Sequence, residues 1–94
     1  MSAILQSMHA AIAHHQAGRL TEAEALYREV LLKIPEQSDA LHLVGLIAHQ
    51  QGRHEEATTQ IGRAIQKNNT VAEYHNNLGA AERAAGYPKR AAAA

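Results

Sequence analysis

The 94-residue sequence contains no cysteine, no tryptophan and no phenylalanine. Without cysteine the chain cannot form a disulfide, a thiolate metal site or a thiol nucleophile. Tyrosine is the only aromatic residue type present, so the interleaving of aromatic and basic residues seen on many RNA-binding surfaces is missing. Lysine and arginine together balance aspartate and glutamate at nine each. This balance gives no net field that would attract nucleic acid or an anionic membrane.

Long apolar runs are also missing, since none approaches the roughly 20 residues that a membrane span needs. The N-terminus lacks the charged and apolar regions of a signal peptide. We therefore expect a cytoplasmic protein with neither a membrane nor a nucleic-acid partner.

Signs of catalysis are equally scarce, because the sequence has no glycine-rich phosphate loop and its few serines have no credible base near them. His42 and His49 lie two helical turns apart, about 10 Å, which is too far for both to hold one metal ion. We therefore expect no enzyme activity, no catalytic residue, no cofactor and no metal site.

A 34-residue period organises the sequence. Small residues recur with this period at Ala11, Gly45 and Gly79, and glycines recur at Gly18, Gly52 and Gly86. Apolar residues at helical spacing surround both series, and alanine and leucine, which favour helix, dominate the apolar content. The period predicts a short array of one repeated unit, each unit being two helices joined by a glycine turn.

The repeat predicts helix boundaries along the whole chain. The predicted helices are residues 3–17, 20–33, 37–51, 54–67 and 71–85, with the start of a last helix at 88–94. The corresponding units are residues 4–37, 38–71 and 72–94. Because the last unit is truncated, we expect the sequence to be a fragment of a larger protein.

Two helices per 34 residues, with small residues where the helices cross, resemble the tetratricopeptide repeat. The matching residues are Val44-Gly45 and Leu78-Gly79 for the Leu-Gly pair, Ala23, Ala57 and Ala91 for the second-helix alanine, Tyr27 and Ile61 for the large second-helix residue, and Pro35 for the closing proline. The aromatic usual at the start of the first helix is replaced by Ser7, Leu41 and His75. The resemblance implies an all-α, right-handed α-solenoid of antiparallel helix pairs, with about two and a half repeats.

The same resemblance implies that the first helices line a concave groove and that the chain is a scaffold for protein–protein interaction, binding a peptide or a helix there. The expected groove residues are Met8, His9, Ile12, His15, Gln16, Asp39, His42, Leu43, Leu46, His49, Gln50, Glu73, Asn76, Asn77, Ala80 and Arg83.

Two known uses of such grooves can be compared residue by residue. Chaperone-binding members hold a C-terminal carboxylate with cations, but the matching positions here carry none and include Glu73, which would repel it. The repeat regions of O-linked sugar transferases carry an asparagine ladder, of which Asn77 matches one rung while His9 and Leu43 do not. An alternative interpretation is therefore the non-catalytic N-terminal repeat region of a glycosyltransferase-like or other modifying enzyme.

A further alternative is self-association. Helical repeat arrays need about three units and a polar terminal cap. The terminal face is predicted to be open and apolar, and a second copy could cover it end to end or by exchanging helices. The residues of that face are Leu78, Ala81, Ala85 and Tyr87.

Overall fold

The computed structural model describes residues 2–86, which form five α-helices and no strand. The helices are α1 (Ala3–Gln16), α2 (Leu20–Lys33), α3 (Ser38–Gln50), α4 (His54–Lys67) and α5 (Ala72–Ala85). The predicted all-α helical repeat is thus confirmed. The predicted helix start at 88–94 lies outside the described residues, and the division into three units stays a prediction.

Glycines at repeat-equivalent positions make the turns after the first helices of the units. Gly18, Gly52 and Gly86 have φ values of +81°, +83° and +88°. This left-handed region costs glycine little because it has no Cβ, and it commonly ends helices. The chain therefore reverses at the same register after α1 and α3, and α5 ends in the same way.

Each helix packs against the next one along the chain, which produces two apolar clusters and one cluster of alanines. The first apolar cluster joins α1, α2 and α3 and includes Tyr27 and Ile47, both fully buried. The second joins α3, α4 and α5 and includes Ile61 and Tyr74. The alanine cluster allows α3, α4 and α5 to approach closely, and its members are Ala48, Ala57 and Ala81.

Gly45 lies where α3 crosses α4. A Cβ added there would stand 2.7 Å from Cγ1 of Ile61 and 3.2 Å from the carbonyl oxygen of Ala57. Cβ atoms essentially never approach a neighbour as closely as 2.7 Å. The crossing distance between α3 and α4 is therefore set by the absence of a side chain at Gly45, as the sequence predicts.

The second helices, α2 and α4, are joined by the ion pair of Arg28 with Glu56, and Arg53, in the turn before α4, adds a pair with Glu24 of α2. Arg28 lies 2.6 Å from Glu24 and 2.9 Å from Glu56, and Arg53 lies 3.1 Å from Glu24 and 2.9 Å from Glu56. Partial burial alone would raise the pKa of Glu24, but hydrogen bonds from Arg28 and Arg53 outweigh burial and lower it. We call the surface formed by α2 and α4 the second-helix face.

Gly62, in the middle of α4, is a glycine that the repeat does not require. Apart from its chain neighbours and the backbone of its own helix, an added Cβ there would meet no heavy atom of the described residues within 4 Å. Gly62→Ala should therefore raise the free energy of unfolding by up to ~1 kcal/mol, because alanine is the better helix former. Urea unfolding followed by circular dichroism measures this, and a lower midpoint would contradict it.

Candidate partner-binding face

The helices α1, α3 and α5 lie side by side and form what we call the first-helix face. Polar side chains connect each of these helices to the next. In every such pair the two residues are 35 positions apart, one more than the repeat. The pairs are His15 with Gln50, Asp39 with Tyr74, and His42 with Asn77.

The sixteen expected groove residues differ in exposure. The exposed ones are His9, Gln16, Asp39, Gln50, Glu73, Asn76 and Arg83. The half-buried ones are Ile12, His15, Leu43, Leu46, His49, Asn77 and Ala80. The remaining two, Met8 and His42, are buried, so the expectation that they line an open groove is wrong.

The burial of Met8 and His42 has a packing cause. Met8 is 8% exposed because its side chain belongs to the apolar cluster of α1, α2 and α3. His42 is 2% exposed, and its ring lies against Tyr74 of α5 with the ring centroids 4.6 Å apart. Both residues therefore hold the helices together instead of facing a partner.

The surroundings of His42 favour its neutral form. Asn77 donates its side-chain amide to Nε2 of His42 over 2.8 Å, which fixes Nε2 as an acceptor. Burial lowers the pKa of His42, although the nearby carboxylates of Glu73 and Asp39 act in the opposite direction. Beside it, burial raises the pKa of Tyr74, and the hydrogen bond that its hydroxyl donates to Asp39 adds to that rise.

His15 joins three helices. Its Nε2 donates to Oε1 of Gln50 over 2.9 Å, and its Nδ1 accepts the hydroxyl of Tyr27 at 3.3 Å. Tyr27 is fully buried, and this burial raises the pKa of its hydroxyl to about 12. The polar atoms of His15 are therefore used within the chain, between α1, α2 and α3.

One apolar row crosses the first-helix face. Ile12, Leu46 and Ala80 occupy equivalent positions 34 residues apart in α1, α3 and α5, and all three are half-buried. Leu46 belongs to neither apolar cluster of the described residues, so the core does not account for it. Exposed polar side chains, Gln50 and Asn76 among them, lie on the same helices. The face thus combines a partly accessible apolar row with hydrogen-bonding groups.

A contact between His49 and His54 was missed by the sequence reasoning. Their Nδ1 atoms are 2.9 Å apart, so one ring donates its N–H and the other accepts it. Helical spacing relates histidines on one helix, such as His42 and His49, whereas His49 and His54 lie on either side of the Gly52 turn. Two ligands are not a metal centre, and residues 2–86 hold no group of three His, Asp or Glu placed for one.

The residues expected to form an open terminal face are only partly accessible. Ala81 is fully buried beside Ala48 and Ala57, so its assignment to an exposed surface is wrong. Its side chain is small enough to fill the α4–α5 crossing. Leu78 and Ala85 are half-buried, and Tyr87 lies outside the described residues.

Comparison with known proteins identifies the family. A sequence model of the tetratricopeptide repeat matches residues 14–81, which is most of the chain. The chain belongs to the tetratricopeptide repeat family. Tetratricopeptide repeats generally mediate protein–protein interaction. No curated protein sequence matches the chain.

A solved structure extends this tetratricopeptide repeat assignment. A mutant of the Thermobaculum terrenum O-GlcNAc transferase is similar to this chain, with 31% identity and a TM-score of 0.74. The match covers 87% of this chain and only 16% of the transferase chain.

None of the helices within residues 2–86 has the length and apolar character needed to cross a membrane.

Proposed function

We propose that this tetratricopeptide repeat chain is a protein-interaction module that binds a peptide or a helix across the row of Ile12, Leu46 and Ala80. The observation that carries the proposal is that Leu46 is apolar and partly accessible and packs in neither core cluster. A partner's apolar side chain placed on this row would remove it from water. Removing apolar surface from water in this way is favourable by roughly 25 cal/mol per Å², before the ordering costs of binding are subtracted.

The hydrogen bonds between neighbouring first helices support this use of the face. Because His15–Gln50 and His42–Asn77 tie α1 to α3 and α3 to α5, the row is held in one geometry before a partner arrives. A preformed site avoids part of the ordering cost of binding. The exposed side chains of Glu73 and Asn76 on α5 supply a carboxylate and an amide to fix the partner's orientation.

A display library of random 12-residue peptides, selected on the full chain, tests the proposal. Leu46→Lys should weaken the selected peptides at least tenfold in isothermal titration, because it places an ammonium group in the apolar row. Gln66→Lys adds the same charge at an exposed site in α4 and should change little. Circular dichroism melting checks that both variants fold. Asn76→Lys, at an exposed site of α5, repeats the test at a position whose side chain does not pack in the core. Binding that is unchanged by Leu46→Lys and Asn76→Lys would refute the proposal.

A second candidate function is the non-catalytic repeat region of a glycosyltransferase. The 31% identity to the O-GlcNAc transferase favours it. Asn77, which resembles one rung of an asparagine ladder, is half-buried and bonded to His42. The coding sequence around this region tests the idea, because a transferase domain in the same reading frame is required by it.

Self-association through the terminal face, with Leu78, Ala85 and Tyr87, stays a prediction. Light scattering at high micromolar concentration tests it, and a clean monomer would contradict it.

A further inference from the structure

A groove on the second-helix face offers a binding surface apart from the first-helix face. It has a volume of about 470 Å³ and lies between α2 and α4, near the end of α2. Ligand pockets commonly have volumes of about 300–1,000 Å³. Its lining residues are Arg28, Leu31, Leu32, Pro35, Gln60 and Arg63.

The floor of this groove is apolar and accessible. Leu32 is 84% exposed, the highest value among the exposed large apolar side chains of residues 2–86, and Pro35 is exposed as well. Leu31 is half-buried and packs against both apolar clusters, which makes the floor continuous with the core. A single exposed leucine needs no explanation. Here, however, the leucine lines a concave surface with two other apolar residues, which is where a partner's apolar side chain would be buried best.

The charges around the groove are unequally compensated. Arg28 is paired with Glu24 and Glu56. Among the described residues Arg63 donates to two neutral oxygens, Oε1 of Gln60 at 3.2 Å and the carbonyl of Pro35 at 3.3 Å. Within residues 2–86 no carboxylate lies within ion-pair distance of Arg63.

The carboxylate of Glu36 does not compensate the charge of Arg63. Glu36 follows Pro35 in the chain but pairs with Lys67 at 3.0 Å, and none of the described residues that line the groove is acidic. Arg63 is therefore a guanidinium beside an apolar floor without a counter-charge from the described residues. A carboxylate is the group that complements it, because a guanidinium can donate two parallel hydrogen bonds to one carboxylate.

We propose that this groove binds a short acidic segment of another protein, in which a large apolar side chain packs on Leu31, Leu32 and Pro35 and a carboxylate pairs with Arg63. The apolar contact supplies most of the affinity, and the carboxylate selects the segment and its orientation. This proposal does not depend on peptide binding at the first-helix face.

Peptide selection with subtraction tests the groove. A display library of random 12-residue peptides is first depleted on the double variant Leu32→Gln, Arg63→Gln and is then selected on the unaltered chain. The enriched peptides should combine a leucine, phenylalanine or tryptophan with a nearby aspartate, glutamate or free C-terminus. Peptides with an amidated C-terminus show whether the carboxylate is the free C-terminus or the side chain of an aspartate or a glutamate.

Single variants then separate the two contributions. Arg63→Gln and Leu32→Gln should each weaken binding at least tenfold. Raising the salt concentration should weaken binding to the unaltered chain more than binding to Arg63→Gln. Both residues are exposed, so neither change should alter the melting temperature by much. Leu46→Lys, which tests the first-helix face, should leave these peptides bound.

Several results would overturn the proposal. One is a selection that yields no peptide sensitive to Leu32→Gln or Arg63→Gln, and another is a set of peptides without acidic groups. A third is a concentration-dependent dimer in sedimentation that Leu32→Gln abolishes, since this would assign the groove to a second copy of the chain.

Discussion

Replacing Gly45 with leucine should lower the free energy of unfolding by about 1–3 kcal/mol, the usual cost of overpacking a core. The first atom added to Gly45 already stands 2.7 Å from Cγ1 of Ile61 and 3.2 Å from a backbone oxygen of Ala57. The backbone oxygen cannot rotate away, so α3 and α4 must separate. For a domain of this size the melting temperature should fall by about 5–20 °C, measured by circular dichroism.

A double-mutant cycle shows whether the overlap with Ile61 is the cause. Gly45→Ala adds only Cβ, and Ile61→Ala removes the Cγ1 atom that this Cβ would meet. If the overlap accounts for the cost, Gly45→Ala should destabilise the Ile61→Ala chain less than it destabilises the unaltered chain. Equal costs in both backgrounds would contradict the assignment. Gly62→Ala, where the described residues leave room, controls for the general effect of alanine in a helix.

The sequence allowed the role of Gly45 to be predicted because the same backbone requirement recurs in each unit. A helix crossing needs a small residue, and a turn with positive φ favours glycine, so both leave a residue type at a fixed position. Gly18 and Gly52 have φ values of +81° and +83°, as their 34-residue spacing predicted. Both requirements concern the backbone, so they can be predicted from the sequence without knowledge of any side-chain contact.

Side-chain pairs on the first-helix face could not be found in this way. The repeat compares residues 34 apart, which point in the same direction from neighbouring helices. One more residue turns the direction by about 100° towards the neighbour, and so bonded pairs such as His42–Asn77 are 35 apart. His42 was consequently placed in an open groove, although Tyr74 of the next first helix covers it.

Residues in contact at the groove on the second-helix face are separated by a different number of positions in the sequence. Arg28 pairs with Glu56, and Arg63 donates to the carbonyl of Pro35, each across 28 residues. Arg28 lies in the middle of α2 and Glu56 in the first turn of α4, whereas Pro35 follows α2 and Arg63 lies in the second half of α4. Which of these residues meet depends on the angle at which α2 and α4 cross. A period cannot supply a crossing angle, so neither the exposed floor nor the uncompensated Arg63 was foreseen.

Acidification should destabilise the chain, and His42 should account for part of that loss. Between about pH 7.5 and pH 5 the free energy of unfolding, measured with urea at each pH, should fall for the unaltered chain. His42→Gln should make the fall smaller, because glutamine keeps a polar group at the site but does not take up a proton. Above about pH 7.5, where the ring is neutral in both states, the difference between the two chains measures packing alone.

The direction follows from the pKa of His42 in the two states. Burial lowers the pKa in the folded chain below the ordinary value of 6.5, whereas the unfolded chain keeps that value. As the pH falls the unfolded chain therefore takes up the proton first. The stability present above about pH 6.5 is lost between that pH and the lower pKa of the folded state. The carboxylates of Glu73 and Asp39 raise the pKa of His42 and so reduce this loss, whereas His15 lowers that pKa and adds to the loss.

Asn77→Asp makes the test specific to the hydrogen bond at Nε2. The amide of Asn77 donates to His42, so a protonated ring would bring two donors together at 2.8 Å. An aspartate would accept from the protonated ring, raise the pKa of His42 and reduce the loss of stability in acid. In plots of the free energy of unfolding against pH, the unaltered chain and His42→Gln would then differ most. The plot for Asn77→Asp would lie closer to that for His42→Gln. Parallel curves for all three chains would contradict the role assigned to His42.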